Sequence, residues 1–349
     1  MVDVTVRGAG IFGLSIAWVC ARRGASVCLV DPAGPGAGSS GGLVGALAPH
    51  VPENWNAKKA FQFESLVMAE PFWAEVEATG GVSSGYGRTG RLQPIGDDRA
   101  LDLARARAET ARELWQGKAQ WRVRPVAELG QWVPPSATGF VIHDSLSARM
   151  SPRRAGAALV AALAVLGVKV QGQAPDQGAV VHATGAAGLV ELSDRLGRLV
   201  GTGIKGQSAL LRFDAREAPQ VFADTVHIVP HADGTLGIGS TTEREYDDPD
   251  GTDGLLDDVI ARAVTAMPVL HGAEVITRWA GLRPRSKSRA PVLGEHPLYP
   301  GQFIANGGFK IGFGMAPKVA HVMADLMLEG RDGIPDAFRI ETCLGTDSG

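Results

Sequence analysis

The stretch VDVTVRGAGIFGLSIAWVCARRGASVCLVD, residues 2–31, decides the fold. A short β-branched run ends in Gly8-Ala9-Gly10-Ile11-Phe12-Gly13, and an apolar-periodic stretch follows over residues 14–23. Gly24 closes that stretch, and Ser26-Val27-Cys28-Leu29-Val30 runs on to Asp31. Strand, glycine turn, helix, strand and acid stand in the order that a dinucleotide-binding βαβ unit requires. Gly8 permits the tight turn, Gly10 admits a pyrophosphate against the backbone, and Gly13 lets the helix lie close on the strand. The helix N-terminus offers free N–H groups and partial positive charge to phosphates. Asp31 stands eighteen residues beyond Gly13, near the spacing at which a carboxylate accepts hydrogen bonds from a ribose. A bare glycine triplet in a chain with 46 glycines is weak evidence, and the flanking strand–helix–strand context makes it strong. The alternative reading is an ordinary parallel-sheet crossover.

At 349 residues the chain is long enough for two domains, and 45% hydrophobic with 20% charged residues describes a globular protein. A formal charge of −3 points to neither nucleic acid nor an anionic membrane as partner. Basic residues cluster over 99–124 but alternate with Glu109, Glu113 and Glu128, as on a solvated helix face. Cys20, Cys28 and Cys343 are odd in number and lack metal-ligand spacing, so no metal is expected. Cys20 and Cys28 are expected to be buried small hydrophobes, and this usage fits a reducing cytoplasm. The chain enters a strand at once, which reads as lacking a secretory leader. The longest apolar run, 155–168, is too short for a bilayer and reads as a core helix.

Beyond Asp31 the glycine-rich text PAGPGAGSSGGLVG, residues 32–45, suggests backbone folded tightly around a ligand. Residues 57–79 read as a helix in which Pro71 marks a break or restart. Strand-like runs from 86 to 94 follow, then a helix over 97–116 and loop and strand over 123–142. Ser151-Pro152 opens another helix, and residues 171–178 make only a brief connection before the buried strand 179–183. Antiparallel signals return at 208–213 and 226–240, where Asp233-Gly234 reads as a hairpin turn. The last third regains α/β character. The expectation is an α/β nucleotide domain built from 1–79, 146–203 and 277–349. Residues 80–145 and 204–276 would form an α+β, mainly antiparallel-sheet substrate domain interleaved with it. The substrate would lie where the two meet.

Four blocks together resemble the D-amino-acid oxidase superfamily of flavoproteins, and within it the glycine oxidase branch. They are GAGIFGLSIAWVCARRGASVCLVD (8–31), SSGGLVGALAPH (39–50), VVHATGAAG (180–188), and WAGLRPRSKSRAPVLG (279–294) with ANGGFKIGFGMAP (305–317). The resemblance spans nearly the whole chain in order, and it implies bound FAD and oxidation of an amine beside a carboxylate. The residues agree independently, since small residues after a buried strand let backbone pass close to a flat cofactor. The glycine turn before the helix near Ala316 would place a positive helix end where a reduced flavin carries negative charge. The resemblance puts FAD contacts on Gly8, Gly10, Ile11, Phe12, Gly13 and Asp31 in the first block. In the second and third blocks they fall on Ser39, Ser40, Gly42, Leu43, Ala48, Ala183, Thr184 and Gly185, with Val170 just ahead of them. In the last block they fall on Gly308, Phe309, Lys310, Ile311 and Gly312.

In the same family the arginine of the GLRP motif holds the substrate carboxylate, a role that the resemblance carries to Arg283. A planar guanidinium suits that task because it grips a carboxylate bidentately. Lys310 matches a second basic position, and reads equally as a solvated lysine. His227 falls where many relatives carry a tyrosine facing the substrate, or is a structural histidine on a strand. His50 sits in the loop expected to wrap the flavin, or is a loop residue at the domain seam. Two departures stand out. Residues 171–178 replace a longer β-meander of typical relatives, and neither 279–317 nor 32–45 carries the cysteine or histidine of covalently flavinylated ones. FAD is therefore expected to be noncovalent. The expected activity is oxidation of glycine, another small amino acid or an N-alkylglycine, with dioxygen as acceptor and hydrogen peroxide as product. An oligomer is compatible with the sequence. The alternatives are an amino-acid dehydrogenase passing electrons to a quinone or partner protein, and a noncatalytic FAD-binding subunit of a larger assembly.

Overall fold

The computed structural model describes residues 1–345. A first sheet of six strands is ordered Val292–Glu295, Phe303–Asn306, Ala179–His182, Val4–Arg7, Val27–Val30, Val170–Gln171. All its neighbours run parallel except the first pair, which is antiparallel. Val4 and Val6 are fully buried, as strands covered on both faces require. The helix Ile11–Arg22 starts at extended Gly10 and is buried over its first ten residues. It packs on helix Gly312–Glu329, which in turn packs on helix Ala57–Gly80.

Helix Ala57–Gly80 starts where the Asn56 side chain accepts the Lys59 N–H, and ends at left-handed Gly81. It runs straight through Pro71, where the sequence suggested a break. Phe72 and Trp73 are 6% and 0% exposed, and anchoring this turn in the core outweighs the hydrogen bond lost at proline. The connection at 171–178 hugs the first strand, with Thr5 Oγ1 donating to Gln177 O at 2.7 Å and Arg7 paired with Asp176.

The second sheet has eight strands, ordered Glu274–Ser286, Gly201–Arg212, Thr235–Gly239, Val226–Pro230, Gln220–Ala223, Arg91–Pro94, Phe140–Asp144, Trp121–Pro125. It is antiparallel apart from Gln220–Ala223 beside Arg91–Pro94. Asp233-Gly234 makes the expected hairpin turn, with Gly234 at φ 83°. Helix Gly254–Ala266 covers this sheet's apolar face through Leu256, Val259 and Ala263. Strand Glu274–Ser286 pairs with Gly201–Arg212 along nearly its whole length, so residues 277–286, expected in the nucleotide unit, lie in the second sheet. Residues 201–203 lie there too. These two long strands bridge from one unit into the other, and a run such as GLRPRS carries no alternation to reveal it. The last four residues of the expected segment 277–349 lie outside the described residues. Cys20, Cys28 and Cys343 are all buried and free. Among the described residues no helix is long and apolar enough to cross a membrane.

Candidate active site

The glycine turn after the first strand is built as its sequence requires. Gly8 has φ +104°, and a Cβ on it would stand 2.3 Å from Ala183 O. A Cβ on Gly13 would stand 1.8 Å from Gly8 O, so helix and strand close together only without a side chain there. Asp31 reaches back to this turn: Oδ2 accepts the Ala9 N–H at 2.7 Å and Oδ1 the Ala33 N–H at 3.0 Å. Ser40 Oγ accepts the Ile11 N–H at 2.9 Å, which fastens the glycine-rich loop onto the helix start.

A cavity of about 480 Å³ opens between this turn and the second sheet. It falls within the usual range for small-molecule sites. The turn contributes Gly10, Ile11 and Phe12, and the loop contributes Ser39, Ser40, Gly42 and Leu43. Ala183 and Gly185 follow strand Ala179–His182, while Gly308, Phe309, Lys310 and Gly312 precede the last long helix. His227 and Arg283 close it from the second sheet. Four distant stretches therefore meet at one place. Gly8, Gly13, Asp31, Ala48, Val170, Thr184, Ile311 and His50 do not line it. Gly8 and Gly13 are packed beneath the turn, and Val170 pairs with Leu29 at the sheet edge. The Gln62 amide holds both Ala48 O, at 3.2 Å, and the His50 N–H and imidazole, so this histidine anchors the loop to a helix.

The charged groups of the lining, Arg283 and Lys310, are both cationic. No Asp or Glu lines the cavity among the described residues. Arg283 is 9% exposed, and its two terminal nitrogens donate to Thr241 O at 3.3 and 3.2 Å. Burial pushes its guanidinium down to about 10, against the opposing pull of Glu243, so it stays charged at neutral pH. Lys310 Nζ donates to Thr242 Oγ1 at 2.9 Å, and burial followed by the charges of Arg283 and Arg285 lowers its pKa. His227 is pushed down to about 3, first by burial and then by Arg91, Lys310 and Arg283, so its ring is neutral. Its Nδ1 has no partner in the protein. Helices Ile11–Arg22 and Gly312–Glu329 both start at the cavity without an acidic residue in the first turn. Such an arrangement suits a flat anionic ligand with a small carboxylate beside it.

Several further lining residues were not singled out in the sequence, Trp279 and Asn306 within quoted blocks and Phe222 and Ser208 outside them. Trp279 packs its indole against Gly42 and Gly281, where added Cβ atoms would stand 3.3 and 2.5 Å from the ring. Phe222 faces His227 across paired strands with ring centroids 4.5 Å apart. Ser208 Oγ is buried without a partner. Asn306 Nδ2 donates to Gly185 O at 2.9 Å, which ties two of the glycine turns together. Period-two alternation in strands Gln220–Ala223 and Val226–Pro230 would place Phe222 and His227 on known faces, but only the pairing tells which face meets the cavity.

Comparison with known proteins gives the family. Residues 3–326 match the family described as FAD dependent oxidoreductase (DAO). Glycine oxidase of Pseudomonas aeruginosa is 28% identical over 95% of this chain and 96% of its own length. Glycine oxidase of Geobacillus kaustophilus is 26% identical over 93% of this chain and 92% of its own. The crystal structure of glycine oxidase from Geobacillus kaustophilus superposes with a TM-score of 0.84, covering 99% of both chains at 22% identity.

Proposed function

The chain belongs to the FAD dependent oxidoreductase (DAO) family, glycine oxidase-like, and acts on CH–NH groups; from that premise we propose an oxidase of small amino-carboxylates. Its substrate is glycine, another small amino acid or an N-alkylglycine. Dioxygen is the acceptor, and the products are an oxo acid, ammonia or an amine, and hydrogen peroxide. One observation carries the reading: a buried guanidinium, Arg283, faces an acid-free cavity flanked by glycine turns.

The residues present fit FAD, because Gly10, Ile11 and Phe12 bring the start of helix Ile11–Arg22 to the cavity wall with no acidic residue in its first turn. The N–H groups of Gly10 and Phe12 would hold its pyrophosphate beside Ser40, which takes the Ile11 N–H, and the start of helix Gly312–Glu329 would face the ring's electron-rich edge. The carboxylate of Asp31, already fixed by two backbone N–H groups, has lone pairs left for a ribose. FAD supplies the two-electron acceptor for the substrate's α-carbon. Arg283 grips the substrate carboxylate and so sets which face of the α-carbon is presented. The neutral His227 faces the substrate amine without adding a charge, and Phe222, Leu43 and Trp279 line the cavity around it. Lys310 adds a second positive charge at the same cavity.

No cysteine occurs over 279–317 and no histidine over 32–45, which supports noncovalent attachment. Three buried free cysteines fit a reducing cytoplasm. The test is anaerobic addition of glycine, sarcosine and small L- and D-amino acids to the yellow holoprotein. Bleaching by at least one, with peroxide released on admitting air, is the expected result. Bleaching without peroxide assigns the acceptor to a quinone or partner protein. A flavin that no amine bleaches overturns the enzymatic reading.

A further inference from the structure

We infer that Glu243, acting through Thr241 and Gln207, is the brace that aims Arg283 at its ligand. The inference rests on Arg283 being the carboxylate clamp, and extends it to residues outside the cavity. Arg283 spends donors of both terminal nitrogens on one backbone carbonyl, that of Thr241. The aim of the guanidinium thus depends on where that carbonyl points. Residues 241–243 lie beside strand Gly201–Arg212 just past its pairing with Thr235–Gly239, and the register advances by one residue between the Ser208–Gly239 and Lys205–Glu243 pairs. Such an irregularity redirects the backbone next to a site.

Side chains then lock this segment. Gln207 N–H donates to Thr241 Oγ1 at 2.8 Å, and the Thr241 hydroxyl donates in turn to Glu243 Oε1. Gln207 Nε2 donates to Glu243 Oε1 at 3.0 Å and to Asp253 Oδ1 at 2.9 Å. Lys205, 3% exposed, lies 3.5 Å from Glu243 and 3.6 Å from Asp253. Gln207 and Lys205 are buried while Asp253 closes the network at the surface, and a connected network of this kind holds one geometry that losing a member releases. Strand residue Gly206 completes the seat, since a Cβ there would fall 1.5 Å from Arg283 Nη2.

The test measures acetate affinity of the holoprotein from the change it causes in the flavin absorbance, so turnover is not needed. Glu243→Gln and Thr241→Val are each expected to weaken acetate about tenfold, as loss of a charge-assisted contact does, with FAD still bound. Thr241→Ser, which keeps the hydroxyl, is expected to restore wild-type affinity. In an Arg283→Ala background, Glu243→Gln is expected to change acetate affinity less than twofold. Acetate affinity within twofold of wild type in both Glu243→Gln and Thr241→Val overturns the brace. So does an equal loss from Glu243→Gln with and without Arg283. If Arg283→Ala alone leaves acetate affinity unchanged, the clamp reading itself fails.

Discussion

Arg283 is a residue whose place at the cavity was legible from its motif and whose surroundings were not. The GLRP text named it, yet its partner carbonyl on Thr241 lies 42 positions away in the chain. Charge-assisted hydrogen bonds contribute about 1.5–3 kcal/mol, so Arg283→Ala is expected to raise KM for the amino-carboxylate roughly 10- to 150-fold while FAD remains bound. Arg283→Lys is expected to recover only part of this, because a point charge cannot hold a carboxylate bidentately. Steady-state kinetics with the amine that bleaches the flavin checks both, and a KM within twofold of wild type for Arg283→Ala removes it from the site. His227 shows the opposite case. An isolated histidine on a strand carries little information, and its neutral state follows from burial among Arg91, Lys310 and Arg283.

At the scale of elements, the glycine turn and its helix behave as one unit. Gly13→Ala forces a methyl to within 1.8 Å of Gly8 O and must separate helix from strand. The expected outcome is a loss of about 1–3 kcal/mol in stability together with at least tenfold weaker FAD, read by urea unfolding and by quenching of free-flavin fluorescence. Wild-type FAD affinity in that variant contradicts the assigned cradle. Helix Ala57–Gly80 makes a separate point. Pro71 is exposed and interrupts the helix's hydrogen-bond ladder without ending it. Pro71→Ala is therefore expected to stabilise the protein by about 1–3 kcal/mol, seen as a higher urea midpoint. The sequence rule that proline breaks a helix failed here because it weighs the backbone and omits Phe72 and Trp73, whose burial holds the turn.

At the scale of the molecule, six histidines share one direction of shift. His50, His143, His227, His231, His296 and His321 are all lowered, with burial the largest cause in each. In the unfolded chain these groups protonate near pH 6.5, whereas in the fold they stay neutral to lower pH. The unfolded state thus binds more protons below pH 6.5, and stability falls as pH drops from there toward the folded values, about 4 for His296 and about 3 for His227. Each fully contributing histidine costs about 1.4 kcal/mol per pH unit in that window. Urea unfolding at pH 7.5 and 5.0, with FAD saturating at both, is expected to show a clear loss at pH 5.0. His227→Phe is expected to lessen it, and equal urea midpoints at the two pH values contradict the shared burial.

Local text determined the first βαβ unit of the nucleotide-binding half. Its two strands, turn and helix interact within about thirty positions, and the missing Cβ at Gly13 that lets helix and strand close is written in the sequence itself. The cluster Gly10, Ser40, Gly185 and Gly308 was also recoverable, since each falls in a quoted glycine-rich block. Tertiary structure alone decided which sheet holds strand Glu274–Ser286, which faces of the second sheet line the cavity, and what seats the guanidinium. Those outcomes depend on pairing between strands far apart in the chain, such as Ile204 with Arg283. A one-residue slip in that pairing turns every side chain to the other face, and no single strand's sequence records its partner's register.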